Sequence, residues 1–210
     1  QRKYKNSILP LMGCSIPVAL STLEKILKIK KNKNILILGS GALGLPMIHY
    51  AKYLGLKNVD VLDKSSKALK KAQIFGSSNV FRSINDFKLQ VRLKGNFYHY
   101  IADTTGSSYL LNNLFNYPIA CKMVLLGVPK LKEKIKLSSL KINYGLQLLG
   151  SYGGNYNPKK DLVRYLKFLL KSKFNFNEYI DKIYPLEKIN ELIRDYKNGK
   201  ILGKSLIKFT

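Results

Sequence analysis

The residues best suited to do chemistry are three glycines, Gly39, Gly41 and Gly44, set as G-x-G-x-x-G in the stretch Gly39-Ser40-Gly41-Ala42-Leu43-Gly44. Glycines so spaced act through the main chain. The first permits a tight turn, the second lets backbone approach a pyrophosphate, and the third lets a helix lie close on the preceding strand. The helix start then presents unpaired N–H groups to the phosphates. The surrounding sequence has the order that such a turn requires. The apolar run Asn34 to Leu38 precedes it, a helical pattern over Leu43 to Leu54 follows, and a second apolar run, Val59 to Leu62, ends at Asp63. Asp63 stands 19 residues beyond the last glycine, where an acid can accept both hydroxyls of an adenosine ribose. Its charge repels a ribose 2′-phosphate, which favours NAD over NADP, and the adjacent Lys64 acts in the opposite sense.

These residues need a scaffold that gathers strand ends. Further short apolar runs recur at Tyr98 to Ala102, Met123 to Leu126 and Leu146 to Leu149, with helix-like stretches at Ser66 to Phe75 and Ser107 to Phe115. Runs that are short, bounded and continuous suit strands buried on both faces. Their alternation with helices predicts an α/β fold, a doubly wound parallel sheet. Ahead of it, Leu20, Leu23, Ile26 and Leu27 mark a helix over Pro17 to Ile29. The texture changes after Gly150. A turn at Gly153, Gly154, Asn155 and Pro158 leads to helical patterns over Asp161 to Leu170 and Pro185 to Tyr196, then to a strand over Leu206 to Phe209.

At 210 residues and 46% hydrophobic, the chain can bury the core of one α/β domain plus an appendage. No apolar run approaches the roughly 20 residues that span a bilayer, and nothing near Gln1 has the order of a signal peptide. The expectation is a cytoplasmic protein lacking its beginning. Cys14 and Cys121 are too few for a disulfide framework, which fits a reducing compartment. The net charge of +25 points on its face to a polyanion. However, only five of the cations are arginine, the residue that reads phosphates and bases in bidentate fashion. Lysine, asparagine, isoleucine and tyrosine are all encoded by AT-rich codons, so the expectation is no specific nucleic-acid partner and no membrane.

Ahead of the first helix stands Leu11-Met12-Gly13-Cys14-Ser15. Read alone, Cys14 is most often a small buried hydrophobe. Yet Gly13-Cys14, lying 25 residues before Gly39, resembles the medium-chain dehydrogenase/reductase family in its zinc-containing alcohol and polyol dehydrogenase branch. The similarity continues through Asp103-Thr104-Thr105-Gly106, Leu126-Gly127-Val128-Pro129 and Gly150-Ser151-Tyr152-Gly153-Gly154. It closes with Tyr184-Pro185-Leu186-Glu187-Lys188-Ile189-Asn190 and Asn198-Gly199-Lys200.

The resemblance implies that the doubly wound parallel sheet is a six-stranded Rossmann sheet and that NAD contacts Gly39, Gly41, Ala42, Leu43 and Gly44 at the pyrophosphate, Asp63 and Lys64 at the ribose, and Thr105 and Gly106 beyond the fourth strand. It puts Leu126, Gly127, Val128 and Ser151 beside the nicotinamide and Lys204 near the phosphates. Cys14 becomes a ligand of a catalytic zinc, whose other ligands come from an N-terminal catalytic domain that precedes this segment. The chain itself carries no catalytic residue. Residues 1–14 are expected to be the junction with that domain, 15–152 the NAD-binding domain, and 153–210 a segment returning to the catalytic domain. A small-molecule alcohol substrate and a homo-oligomer formed through the Rossmann domain are also implied.

Two departures stand out. Val18 replaces a threonine common in the family, and His49, His99 and Cys121 offer no metal-like spacing to Cys14. The alternatives are a zinc-independent quinone or enoyl reductase of the same superfamily, with Cys14 merely structural, and a non-catalytic Rossmann module whose basic surface binds RNA.

Overall fold

A computed structural model describes residues 8–94, 98–116 and 121–209, so residues 1–7 of the expected junction lie outside the described residues. Two short helices, α1 (Ile8–Leu11) and α2 (Ser15–Ser21), lead into a π turn at Thr22–Ile26. Then come β1 (Asn34–Leu38), α3 (Gly44–Tyr53), β2 (Asn58–Leu62), α4 (Ser66–Ile74), β3 (Asn79–Phe81) and α5 (Ile84–Lys94). The alternation continues with β4 (Tyr100–Asp103), α6 (Ser108–Leu114), β5 (Lys122–Leu125), α7 (Ser139–Asn143) and β6 (Gln147–Gly150).

All six strands pair in parallel, in the order β3-β2-β1-β4-β5-β6. This is the doubly wound α/β sheet expected from the sequence. The order reverses between β1 and β4, and ligands of such sheets bind outside the strand C-termini at that reversal.

Strand alternation explains the layering. Ile35 and Ile37 of β1 belong to the core shared with α2, α3 and the later part of the chain, while Leu36 and Leu38 belong to the opposite core with Phe87, Leu110, Leu111 and Leu114. Every one of these four β1 side chains is buried, which accounts for the continuous apolar run. Ser65 caps α4 by accepting from the Ala68 amide at 3.2 Å, and Ser107 caps α6 by accepting from the Leu110 amide at 3.3 Å.

After β6 the chain forms α8 (Pro158–Lys171), α9 (Phe176–Tyr179), β7 (Ile180–Pro185), α10 (Ile189–Lys197) and β8 (Lys204–Lys208), with β7 and β8 paired in parallel as a separate two-stranded sheet. Pro158 opens α8, where its missing N–H is no loss. Tyr165, Phe168 and Leu169 of α8 are buried in the same core as Ile35 and Tyr50. A charged network covers this contact. Glu24 accepts from Tyr165 at 2.9 Å, from both terminal nitrogens of Arg164, and from Tyr50, while Lys25 pairs with Asp161. Burial acts to raise the Glu24 carboxyl, but the bonds from Arg164, Tyr50 and Tyr165 outweigh it and hold the group below the usual carboxylate range.

The structure departs from the sequence reading in several elements, and α5, α7 and β7 have no counterpart in it. The expected helix over Pro17 to Ile29 stops as a π turn, which widens the last turn at the residues that supply Glu24 and Lys25. The helix expected over Pro185 to Tyr196 starts only at Ile189, after the end of β7 and a 3-10 turn at Leu186–Lys188. β3 is three residues long and only its last residue is buried, so it carries no apolar run to read.

Candidate cofactor-binding site

The glycine turn sits at the strand reversal. The Gly39 amide donates to the Leu62 carbonyl at 2.8 Å as β1 ends, and the Leu45 amide donates back to the Gly41 carbonyl at 3.0 Å as α3 begins. Gly39 has φ of +90°, in the region that disfavours any side chain, and a Cβ there would stand 2.6 Å from Thr104 Oγ1. At Gly44 a Cβ would overlap the Gly39 carbonyl oxygen. Helix and strand therefore touch through bare backbone, and Ala42 and Leu43 form the bend between them.

Asp63 follows β2 directly and ties the turn down. One carboxylate oxygen accepts from the Ser40 amide at 2.8 Å and the Ser40 hydroxyl at 3.1 Å, and the other accepts from the Ser65 amide at 2.9 Å. The same residue lines a cleft of about 730 Å³ together with Lys64, Arg82, Ile84, Thr105, Gly106 and Val128. Lys64 and Arg82 are exposed at its rim.

On the far side of the reversal, Asp103 is fully buried at the end of β4. Burial pushes its carboxyl above the usual carboxylate range, against the pull of hydrogen bonds from Thr105 and Gly106. Those bonds, from the Thr105 amide at 3.0 Å, the Thr105 hydroxyl at 2.6 Å and the Gly106 amide at 3.2 Å, shape the loop that walls the cleft. A second cavity, of about 350 Å³, is lined by Leu126, Gly127, Val128 and Ser151, and it shares Gly106, Val128 and Glu133 with the first.

Cys14 and Lys204 lie elsewhere, lining a third cavity of about 800 Å³ with Leu11, Ser15 and Leu206. Cys14 is exposed at the start of α2, so it is not the buried hydrophobe that a lone cysteine usually is. The backbone that meets the glycine turn from this side belongs to Leu202, whose carbonyl oxygen would be 3.3 Å from a Cβ on Gly41. Tyr179 also reaches the turn, its hydroxyl donating to the Ala42 carbonyl at 2.9 Å.

The remaining nucleophilic and imidazole groups stand apart. His49 packs edge-on against Phe75 and Phe174 and bonds Ser172, and burial lowers its pKa. His99 accepts from the Asn34 amide at 3.3 Å at the opposite, N-terminal end of the sheet. Burial pushes the Cys121 thiol up to about 12. Among the described residues no three His, Cys, Asp or Glu side chains come together as a metal site.

Sequence reasoning overlooked Arg82, Ile84, Tyr179 and Leu202. The first two flank a strand too short to register as a pattern. Tyr179 reads as packing, and Leu202 acts through its carbonyl, which no residue type announces.

The close approach at Gly44 gives a direct test. Gly44→Ala must push helix α3 off β1 and should destabilise the chain by at least the upper part of the ~1–3 kcal/mol typical of overpacking. Gly150→Ala meets nothing within 4 Å and should stay within about 0.5 kcal/mol of the parent. Urea unfolding of the two variants side by side measures the difference.

No protein-family model matches the chain. Sequence relatives include Alcohol dehydrogenase-like 3 of Arabidopsis thaliana, 22% identical over 199 residues that cover 91% of this chain and 50% of the relative. The chain thus spans about half the length of the curated relatives it matches. Among solved structures, benzyl alcohol dehydrogenase from Acinetobacter calcoaceticus superposes with a TM-score of 0.85 at 22% identity, covering 95% of this chain and 56% of that one. A protein described as a short chain alcohol dehydrogenase from E. coli CFT073, complexed with NADH, superposes with a TM-score of 0.80 at 20% identity, covering 93% of this chain and 58% of that one. The glycine turn and the acid after β2 agree with these relatives, and over most of its length the chain is similar to the C-terminal portion of alcohol dehydrogenase-like proteins of the medium-chain dehydrogenase/reductase family.

Proposed function

We propose that this chain is the NAD-binding portion of a zinc-dependent alcohol dehydrogenase-like oxidoreductase that moves a hydride between a small-molecule alcohol or polyol and NAD. The observation that carries the reading is the Asp63 carboxylate. It takes three hydrogen bonds from the turn and from Ser65 while lining the cleft. A carboxylate has about four acceptor positions, so capacity remains for a ribose hydroxyl. NAD bound in this way supplies the hydride acceptor.

The chain's own residues bind and orient. Gly39, Gly41 and Gly44 let the α3 N-terminus face the phosphates, Thr105 and Gly106 wall the cleft opposite Asp63, and Leu126, Gly127, Val128 and Ser151 flank the nicotinamide. The family resemblance assigns Lys204 to the phosphates, whereas its side chain lines the cavity that holds Cys14. In the same reading residues 15–152 form the NAD-binding domain, and 153–210 return to a catalytic domain in the other half of the protein. The described residues do not assemble a zinc site, and the chain's own share of one is the exposed Cys14. The reading also includes self-association through the Rossmann domain and no specific nucleic-acid partner. Exposed Leu140, Ile142 and Tyr144 beside the edge strand β6 favour the former. Sedimentation that stays monomeric at every concentration would remove it.

NAD should bind more tightly than NADP when both are titrated calorimetrically. Asp63→Ala should weaken NAD by about 1 to 3 kcal/mol, the range for losing hydrogen bonds to a charged group, and narrow the gap to NADP. Equal or tighter NADP binding by the parent chain would sink the cofactor assignment.

Zinc gives an independent check, since a single thiolate cannot build a site that needs three protein ligands. The chain should purify with far less than one zinc per molecule. In an intact protein Cys14→Ser should lose most of the zinc and most of the turnover while keeping its NAD affinity. Full zinc and full activity in that variant would favour the zinc-independent reductase.

A further inference from the structure

Three elements remote in sequence meet behind the glycine turn. Strands β7 and β8 pair from Ile180 with Lys204 to Pro185 with Lys208, but the register slips between Ile180 and Lys182, so the ladder skips Asp181. A slip of this kind re-aims the skipped side chain. One Asp181 oxygen accepts from the Leu202 amide at 2.6 Å and the Gly203 amide at 2.7 Å. The other pairs with Lys71 of α4, whose ammonium also donates to the Glu178 carbonyl at 2.6 Å. Both charged side chains are largely shielded, at 11% and 13% exposure, so neither is readily neutralised by water if its partner is removed.

The consequence lies at the cofactor turn. With both amides drawn toward Asp181, the Leu202 carbonyl faces the other way, against Gly41. Gly203 is seated on the Tyr179 carbonyl, where a Cβ would overlap it, and the Tyr179 hydroxyl is bonded to Ala42. The segment therefore has one seat, and Asp181 sets it.

We propose that Asp181, with Lys71 as its counter-charge, is a positioning residue for the pyrophosphate end of the cofactor site, holding the Leu202–Gly203 backbone against Gly41. The inference rests on the cofactor reading above and adds to it a residue that touches neither cofactor nor substrate. Asp63 grips the turn at Ser40 from the β2 side, whereas Asp181 closes it at Gly41 from the C-terminal side. The two acids thus serve different parts of one ligand. Loosening Asp181 disturbs the wall along the pyrophosphate and leaves the adenosine subsite at Asp63 untouched.

The test compares ligands that do and do not span that wall. NADH, ADP-ribose and AMP are titrated against the parent chain, Asp181→Asn and Lys71→Met, with circular dichroism as the check on folding. Asp181→Asn should weaken NADH and ADP-ribose about tenfold, the scale of one hydrogen bond to a charged group, while AMP binds as in the parent. Lys71→Met, which keeps the two amide bonds, should fall between, and it reads the same ratio if Asp181→Asn does not fold. If every folded variant loses NADH and AMP in the same proportion, or loses neither, the positioning role is overturned. A parent chain that binds AMP, ADP-ribose and NADH no better than a control protein overturns the cofactor reading itself.

Discussion

Helix α3 leaves β1 so closely that a side chain at Gly44 would occupy the Gly39 carbonyl oxygen. That bare contact is the constraint on which the rest depends. It sets the direction of α3, brings the helix N-terminus to the strand reversal, and lets the β4 loop approach until Thr104 crowds Gly39. The packing of β1 on both faces then holds the turn in place. Any larger residue at Gly44 would move α3, and with it Tyr50, which anchors α8 and the Glu24 network through the same core.

Electrostatics act on top of this frame with little acid to spare. The chain carries 12 acids against 37 Lys and Arg, and most of the acids are spent internally. Asp60 takes bonds from Tyr98 and Asn79 within the sheet, and Asp103 shapes the Thr105 loop. Asp63 holds the glycine turn at Ser40, Asp181 holds the Leu202 and Gly203 amides, and Asp161 and Glu24 fasten α8. The positive excess is therefore left outward, on flexible lysines. Such a field affects solubility and nonspecific attraction more than it defines a binding site.

The candidate residues are distributed over three cavities, two of which share part of their lining. Asp63, Thr105 and Gly106 serve the cleft on the β2 side of the reversal, and Leu126, Gly127 and Ser151 serve the cavity on the β5 side, with Gly106 and Val128 common to both. The third cavity, with Cys14, is built from the start and the end of the described chain. No strand of the six-stranded sheet lines it.

Local pattern determined a good deal by itself. The strand, the glycine turn, the helix and the acid after β2 are written in consecutive residues, because a buried strand demands an unbroken apolar run and a close turn demands glycine. The alternation of such runs with helical spacing was enough to specify a doubly wound parallel sheet, although the five runs leave out β3. Tertiary structure alone decided which of several acids faces what. Asp60, Asp63 and Asp181 look alike in sequence, yet one bonds across the sheet, one holds the turn from β2, and one is swung by a slip in the β7–β8 register toward amides at 202 and 203. The same holds for Leu202, whose contribution is a carbonyl oxygen, and for β3, whose three residues are held by β2 rather than by their own pattern. Periodicity records which faces of an element are buried. It carries no record of contacts made by main-chain atoms or across long sequence separations, since those depend on where the folded chain returns.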